Sequence, residues 1–357
     1  MYRFILFFSL YIVLMMTACS DQPTAPEETA PVDEWPFDPP SSEPLDPFAM
    51  NSKIGRGLNI GNALEAPVEG EWGFVIKDEY LQAIAAAGFN SIRLPVTWSA
   101  HTEGAACDID PLFFERVDHV VETALSHGLV VILNNHHFDA LNENPSAFRD
   151  CLLKIWEQMS FHYKDYPDEL FFEILNEPHG EFNNRASLWH DLLRDALTVI
   201  RKTNPYRMVV IGPIDWNSVH SIPTLQLPEE DRGIIVTFHY YEPFHFTHQG
   251  ADWVGDDADS WLGTPWVGSI EERQDIAEAF DSAVTWAQTH NRPLFLGEFG
   301  AYSRADENSR YRWTDAVARS AEKRNISWTY WEFGAGFGVY DREKDEWRPL
   351  LLKALIP

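Results

Sequence analysis

From residue 55 onward the chain alternates short apolar or β-branched runs with longer segments whose apolar residues recur every three to four positions. The short runs predict strands at 57–60, 91–95, 129–134, 170–175, 208–212, 234–239, 294–298 and 327–331. The longer ones predict helices over 78–87, 113–127, 148–163, 187–202, 270–288, 308–324 and 350–355. Between the fifth and sixth strands the chain is rich in proline and polar residues, and no helical period stands out. Strands that are continuous apolar runs separated by helices imply a parallel sheet covered on both faces. Eight such units in about 300 residues predict an α/β fold, a (β/α)8 TIM barrel in a single domain. A doubly wound open sheet fits less well, because no glycine-rich phosphate fingerprint follows an early strand.

The polar residues sharpen this picture. Asn62 and Glu65 follow the first strand, Arg93 lies in the second, and His136 and His137 follow the third. Asn176 and Glu177 end the fourth, His239 and Tyr241 the sixth, Glu298 the seventh, and Trp331 and Glu332 the eighth. In a parallel barrel all these strand ends converge on one rim, where active sites sit. Each residue alone reads equally well as a loop residue; their shared placement does not.

Glu177 (in Ile174-Leu175-Asn176-Glu177-Pro178) and Glu298 (in Leu296-Gly297-Glu298-Phe299-Gly300) each follow an apolar strand, three strands apart. Glycosidic cleavage needs one acid to protonate the leaving oxygen and one carboxylate to attack the anomeric carbon, with different pKa values. A lone glutamate at a strand end often caps a helix or pairs with an arginine, but two in this relation fit the paired role. If the reaction retains configuration, the two carboxyl groups should lie about 5–5.5 Å apart.

With these motifs in order, the chain resembles glycoside hydrolase family 5, and within it the bacterial cellulase–mannanases of subfamily 25. The stretch 55–72 (GRGLNIGNALEAPVEGEW), the NEP and HYY motifs and the run 246–254 carry the closest likeness, and the resemblance covers about residue 50 to the end. It implies Glu177 as proton donor, Glu298 as nucleophile, and Arg93 as the arginine beside the nucleophile. It further implies Asn176 on the sugar 2-hydroxyl, His136 beside that sugar, and His137 on the glycone side. By the same likeness His239 neighbours the acid/base, Tyr241 donates to the nucleophile, and Trp331 is the platform under the sugar at the cleaved bond. Glu332 is expected to reach sugar hydroxyls, Asn62 and Glu65 to bind glycone hydroxyls, and Trp253 to form an outer aromatic subsite. No cofactor and no metal are implied; His136 and His137 are adjacent, and adjacent strand residues face opposite ways.

Composition adds limits. The net charge of −28 excludes nucleic acid as a plausible partner. The 14 tryptophans invite a carbohydrate reading, although most are expected to be buried, with Trp72, Trp98, Trp216, Trp261 and Trp266 left as packing residues. Residues 1–18 read as a lipoprotein signal peptide, with Arg3, an apolar 4–16, and Met16-Thr17-Ala18-Cys19 resembling a lipobox. Cys19 is then the lipidated residue and the membrane a partner. Residues 19–48 are rich in proline, and 20–48 hold eight acidic and no basic residues, which predicts a disordered linker. The catalytic domain is expected over 49–357. Cys107 and Cys151 remain, at the starts of neighbouring helices; sequence alone does not establish pairing, but a disulfide is expected there.

The functional expectation is a retaining endo-β-1,4-glucanase acting on a β-1,4-linked polysaccharide, possessing some mannan activity. It is expected to be monomeric and lipid-anchored in the cell envelope, at the outer membrane. The alternatives are an endo-β-1,4-mannanase and a non-catalytic glycan-binding lipoprotein, which would have no need of both glutamates.

Overall fold

The computed structural model describes residues 36–104 and 106–357. Eight parallel strands close into a barrel: β1 Arg56–Asn59, β2 Ser91–Leu94, β3 Val130–Asn134, β4 Leu170–Glu173, β5 Val209–Ile211, β6 Ile234–His239, β7 Leu294–Glu298 and β8 Ser327–Tyr330. Each strand pairs with the next in sequence, and β8 closes on β1 through Arg56↔Trp328, Gly57↔Thr329 and Leu58↔Tyr330. The strands are buried on both faces, which is why they read as apolar runs without alternation.

The covering helices end where their sequences say they should. The helix α2 Asp78–Ala86 follows β1. Proline at the first turn and an Asp110 side chain accepting from Leu112 N open α3 Pro111–Ser126. Asn144 does the same for α4 Pro145–His162. The helix α5 Ala186–Arg201 buries Trp189, Leu192, Leu193, Ala196, Leu197 and Ile200 at helical spacing against the barrel. Ser269 and Glu272 form a capping box on α6 Ile270–His290, and Asn291 ends it in the left-handed region. Asp306 caps α7 Glu307–Glu322, and α8 Pro349–Leu355 completes the ring.

One feature accounts for a gap in the sequence pattern, and one departs from expectation. Between β5 and β6 no covering helix of ordinary length forms; a distorted turn at Ile214–Asn217 and a 3-10 turn at Val219–Thr224, interrupted by Pro223, fill that place with buried Val219 and Ile222. Regular structure is also present among the described residues before residue 49. The helix α1 Pro47–Ile54 starts on an Asp46 cap, and Ser41 N donates to Asp168 Oδ1 at 3.1 Å. Met50 and Ile54 of α1 join Val130, Phe171, Ile235 and Phe295 in the barrel floor. Asn51 Nδ2 donates to Leu294 O and Ser327 Oγ to Asn51 Oδ1, so α1 plugs the N-terminal mouth. A proline-rich acidic stretch hid a capped plug helix at its end.

Cys107 and Cys151 are joined, with Cα atoms 5.5 Å apart. Among the described residues no helix is long and apolar enough to cross a membrane. Cys19 and the signal segment lie outside the described residues.

Candidate active site

All the rim residues singled out in the sequence lie at the C-terminal ends of the strands. Arg93 is the hub. Its Nε and Nη2 each bond a carboxylate oxygen of Glu173 at 2.6 Å, and Nη1 meets Glu298 Oε1 at 2.7 Å and Asn59 Oδ1 at 2.9 Å. Nη2 also donates to Asn176 Oδ1 at 2.6 Å, which fixes the amide so that its NH2 points elsewhere. Arg93 and Glu173 are fully buried. Burial works against the guanidinium charge, but Glu173 and then Glu298 outweigh it and raise its pKa further.

The two glutamates have different surroundings. Glu298 accepts from Arg93 and, at 2.9 Å, from the Tyr241 hydroxyl, both of which favour its anion. Burial raises its pKa, and so does Glu177 when ionised, while Arg93 and the tyrosine bond oppose the rise, as does His239 in its protonated form. Glu177 is a quarter exposed to the cleft and touches no cation directly. Burial pushes it up to about 7, opposed only by the more distant charges of Arg93 and His179. Thus Glu177 is the better proton holder and Glu298 the better anion. A carboxylate oxygen of each and one ring nitrogen of His239 all lie within 4.8 Å of one another. The two carboxylates therefore face each other closely across the mouth, as attack by one and proton transfer by the other require.

His239 ties the pair together. Asn217 Nδ2 donates to the Asn176 backbone carbonyl, which can only accept, and to His239 Nε2 at 3.3 Å. The bonding pattern therefore assigns the proton to Nδ1, which donates to Glu177 Oε1 at 2.7 Å. Burial lowers the His239 pKa to about 4, so the ring is a neutral donor at neutral pH. Glu177, His239 and Glu298 are the group among the described residues that offers metal-ligating atoms. With its Nδ1 protonated and its Nε2 lone pair taken by Asn217, the imidazole has no lone pair to give, and the arrangement suits proton transfer better than ligation.

Two glycines let these groups meet. A Cβ at Gly297 would lie 2.6 Å from Thr237 Oγ1 and 3.1 Å from His239 Nε2. A Cβ at Gly61 would lie 2.8 Å from the Trp331 ring. The indole of Trp331 therefore lies against the end of β1, and it stacks in parallel with His136 at 5.5 Å and 4°. His136 is buried and neutral, its pKa lowered well below the ordinary value by burial.

Several expectations need correction. The rings of His136 and His137 do not face opposite ways; they meet edge-on at 4.7 Å, because β3 ends at Asn134 and strand alternation ends with it. Glu332 does not reach toward the cleft. It is fully buried, and its carboxylate collects the N–H groups of Gly334, Ala335 and Phe337 at 2.8–3.1 Å. Glu65, also buried, turns onto the N–H groups of Asn62 and Ala63, which holds Asn62 at φ +65°. Trp98 and Trp266 are fully buried as expected, whereas Trp72 (45%) and Trp216 (50%) are exposed. Trp253 is also exposed, at 57%, with its edge on Tyr302 at 4.8 Å.

Glu173, Asn59 and Asn217 were missed by the sequence reading, as was Trp216. Three consecutive left-handed residues, Asp215, Trp216 and Asn217, follow β5. They turn Trp216 over His179 at 4.9 Å and 10°, and send Asn217 inward to His239. A cleft of about 650 Å³ runs from Glu177 past Trp216, His239, Tyr241, Phe244 and Trp253. The signal available was the run Gly212-Pro213-Ile214-Asp215-Trp216-Asn217 directly after a strand, which marks a rim loop.

Comparison with known proteins agrees with this geometry. The cellulase model of glycosyl hydrolase family 5 matches residues 57–336. Endoglucanase H of Acetivibrio thermocellus is 38% identical over 312 residues, covering 87% of this chain but 33% of that protein. The chain thus spans about a third of that relative's length. Cel5A of Thermotoga maritima in complex with mannotriose is 45% identical with a TM-score of 0.84, covering 87% of this chain and 100% of that one. The same enzyme with cellobiose gives 46% identity and a TM-score of 0.85 at the same coverage.

Proposed function

The chain belongs to glycosyl hydrolase family 5, and on that premise we propose that it is a retaining endo-β-1,4-glucanase in which Glu177 is the acid/base and Glu298 the nucleophile. The observation that carries the assignment of roles is the asymmetry of the pair. Glu298 is held as an anion by Arg93 and Tyr241, while Glu177, pushed up to about 7, enters the reaction protonated. The proton moves from Glu177 to the leaving oxygen as Glu298 attacks the anomeric carbon. In the second step Glu177, now an anion, takes a proton from water, which attacks the glycosyl ester and frees Glu298. Water is the second substrate, and no cofactor enters.

Within the cleft Asn176 presents its NH2 to the 2-hydroxyl, and Trp331 with His136 forms the platform of the reacting sugar. Asn62 and His137 serve the glycone side, and Glu65 holds Asn62 in place. Trp216 and Trp253 supply aromatic faces on the leaving-group side, with Trp216 exposed in the cleft beside Glu177. Glu332 acts as an organiser of its own loop.

Mannan is the second substrate class, favoured by the mannotriose complex of the Thermotoga maritima relative. Glucose and mannose differ in the direction of the 2-hydroxyl, so discrimination falls on the groups around Asn176. The enzyme is a monomer tethered through a lipidated Cys19 to the envelope, with the acidic, proline-rich segment as spacer; the Met16–Cys19 motif supports this.

Reducing-sugar release from a panel of glucans, mannans and xylans tests the reading, together with the anomeric configuration of the first product by NMR. β-Glucan turnover with a β-anomer formed first is the expected result. An α-anomer would overturn the retaining assignment, and inertness toward every β-1,4-glucan would overturn the activity.

A further inference from the structure

We propose that Asn217 is a positioning residue for proton donation: its amide holds His239 in the tautomer that leaves the proton of Glu177 on Oε2, the oxygen open to the cleft. The inference rests on the acid/base role proposed above for Glu177.

The amide of Asn217 has two hydrogens and two acceptors in reach, the Asn176 carbonyl and His239 Nε2, the latter at 3.3 Å. A reversed amide would set Oδ1 against that carbonyl, so the NH2 faces both. With Nε2 engaged as an acceptor, the ring hydrogen stands on Nδ1 and goes to Glu177 Oε1 at 2.7 Å. An oxygen that accepts there in the acid form is the carbonyl oxygen of the carboxyl group. The acidic hydrogen therefore belongs on Oε2, which bonds no group among the described residues, on a side chain a quarter exposed. In the opposite tautomer Nδ1 becomes an acceptor, and the proton of Glu177 is spent on the imidazole and not on the leaving oxygen.

Other charged and titratable groups face this pair from every side. They are Arg93 on β2, His136 after β3, Glu173 and His179 on β4 and its loop, and Tyr241 after β6. Glu298 on β7 lies 3.6 Å from Nδ1, beyond hydrogen-bond reach. Among the described residues Nε2 bonds Asn217 alone, so the tautomer is fixed from that end of the ring.

The plain alternative is that Asn217 only shapes the turn after β5. That turn is closed by other groups: Trp216 N donates to Pro178 O at 3.3 Å, Ser218 N to Asp215 O at 3.0 Å, and Asp215 N to Asn183 Oδ1 at 2.9 Å. Asn217 is instead fully buried, and its Oδ1 has no partner among the described residues. A buried acceptor left bare is unfavourable, and the fold tolerates it while both hydrogens are used. Gly212 makes the room, since a Cβ there would overlap the Asn217 amide.

Nitrogen NMR reads the tautomer directly, because the shift of an imidazole nitrogen depends on whether it carries hydrogen. The signals of His239 are those lost in His239→Gln. In the wild type a protonated Nδ1 and a bare Nε2 are expected, and the reverse overturns the proposal. Asn217→Gly keeps a residue suited to positive φ and should let the two tautomers mix. Its kcat/KM on cellotetraose, whose leaving oxygen needs a proton, should fall roughly tenfold further than on an activated aryl cellobioside, which needs none. The basic limb of the cellotetraose profile should move to higher pH, because a bare Nδ1 accepts from protonated Glu177 and stabilises it. Asn217→Asp, nearly the same in shape but an acceptor when ionised, should drive the proton to Nε2 and deepen the loss on cellotetraose. Equal falls on both substrates mark a packing role and overturn the proposal, as does a tautomer unchanged in both variants. If the wild type turns over neither substrate, the activity reading fails separately. The NMR comparison of wild type with variants still decides whether Asn217 sets the tautomer.

Discussion

Arg93 reaches Glu298 with a 2.7 Å ion pair while its other edge is occupied by Glu173, so one guanidinium serves two buried carboxylates. Only a planar fork can do both, and lysine cannot. Arg93→Lys is therefore expected to lower kcat by about a hundredfold or more, on the scale of losing one preorganised electrostatic contact. The sign of the accompanying pH effect is definite. A lysine drawn to Glu173 no longer makes the direct contact with Glu298, and losing that contact raises the pKa of Glu298, which must be ionised to attack, so the acidic limb of kcat/KM should move to higher pH. An acidic limb that stays in place would separate Arg93 from the nucleophile's ionisation.

Buried carboxyls should also make the fold less stable as pH rises. Burial pushes Glu65 up to about 8 and Glu332 to about 7, from an ordinary 4.5. Below 4.5 both states hold these protons; between there and 7 to 8 the folded state keeps protons that the unfolded chain has released. Stability from this source is therefore full below 4.5 and is lost as pH climbs through the folded values. Calorimetric melting temperatures measured across that window should decline less steeply in Glu65→Gln than in the wild type. Parallel slopes would rule Glu65 out as a contributor.

The Cys107–Cys151 bridge spans 44 residues and ties a short hairpin to α4, where Gln158 also accepts from Ile109 N and donates to Cys107 O, each at 2.9 Å. Closing a loop of that length lowers the entropy of the unfolded chain by an amount worth roughly 4 kcal/mol. The Cys107→Ser/Cys151→Ser double variant should lose about that much in denaturant unfolding, and reductant should reproduce the loss in the wild type. Reductant-insensitive stability would show that the bridge adds nothing.

Strands were the most legible elements because burial on both faces leaves a run of apolar residues that needs no register to recognise. Boundaries for β6 and β7 match the expectation to the residue, and β7 ends on Glu298; β4 ends two residues earlier than expected, with Glu177 just beyond it. What escaped were residues whose role depends on a partner distant in sequence. Glu173 is an ordinary strand residue until Arg93, 80 positions earlier, closes on it. Asn217 matters only because three left-handed residues aim it at His239. Glu332 erred in the opposite direction: a carboxylate beside the platform tryptophan suggested sugar binding, while the N–H groups of the next few residues had already claimed it.

The N-terminal motif predicts where the enzyme resides. Cys19→Ala should release the protein into the soluble fraction with turnover unchanged, since multiple acyl chains, each methylene worth about 0.8 kcal/mol, give stable anchoring. Fractionation and activity assays together read this. Membrane association persisting in the variant would place the anchor elsewhere.

Finally, the two glutamates should fail differently. Glu177→Ala removes the proton donor but leaves Glu298 with Arg93 and Tyr241 intact. An aryl cellobioside whose leaving group needs no proton should still form the glycosyl ester, seen as a burst of the aryl alcohol. Breakdown of the ester then stalls, because Glu177 no longer takes the proton from water. Azide needs no such help, so it should restore turnover and yield a β-glycosyl azide, the product of two inversions. Glu298→Ala loses the nucleophile itself, and an activated leaving group should help it little. Azide attacking directly in the space left there would invert once and yield the α product. Truncation to alanine removes a carboxylate at either position and leaves room for a small anion, so only the face it attacks differs. A β product from Glu298→Ala, or an α product from Glu177→Ala, would mean that the roles are exchanged.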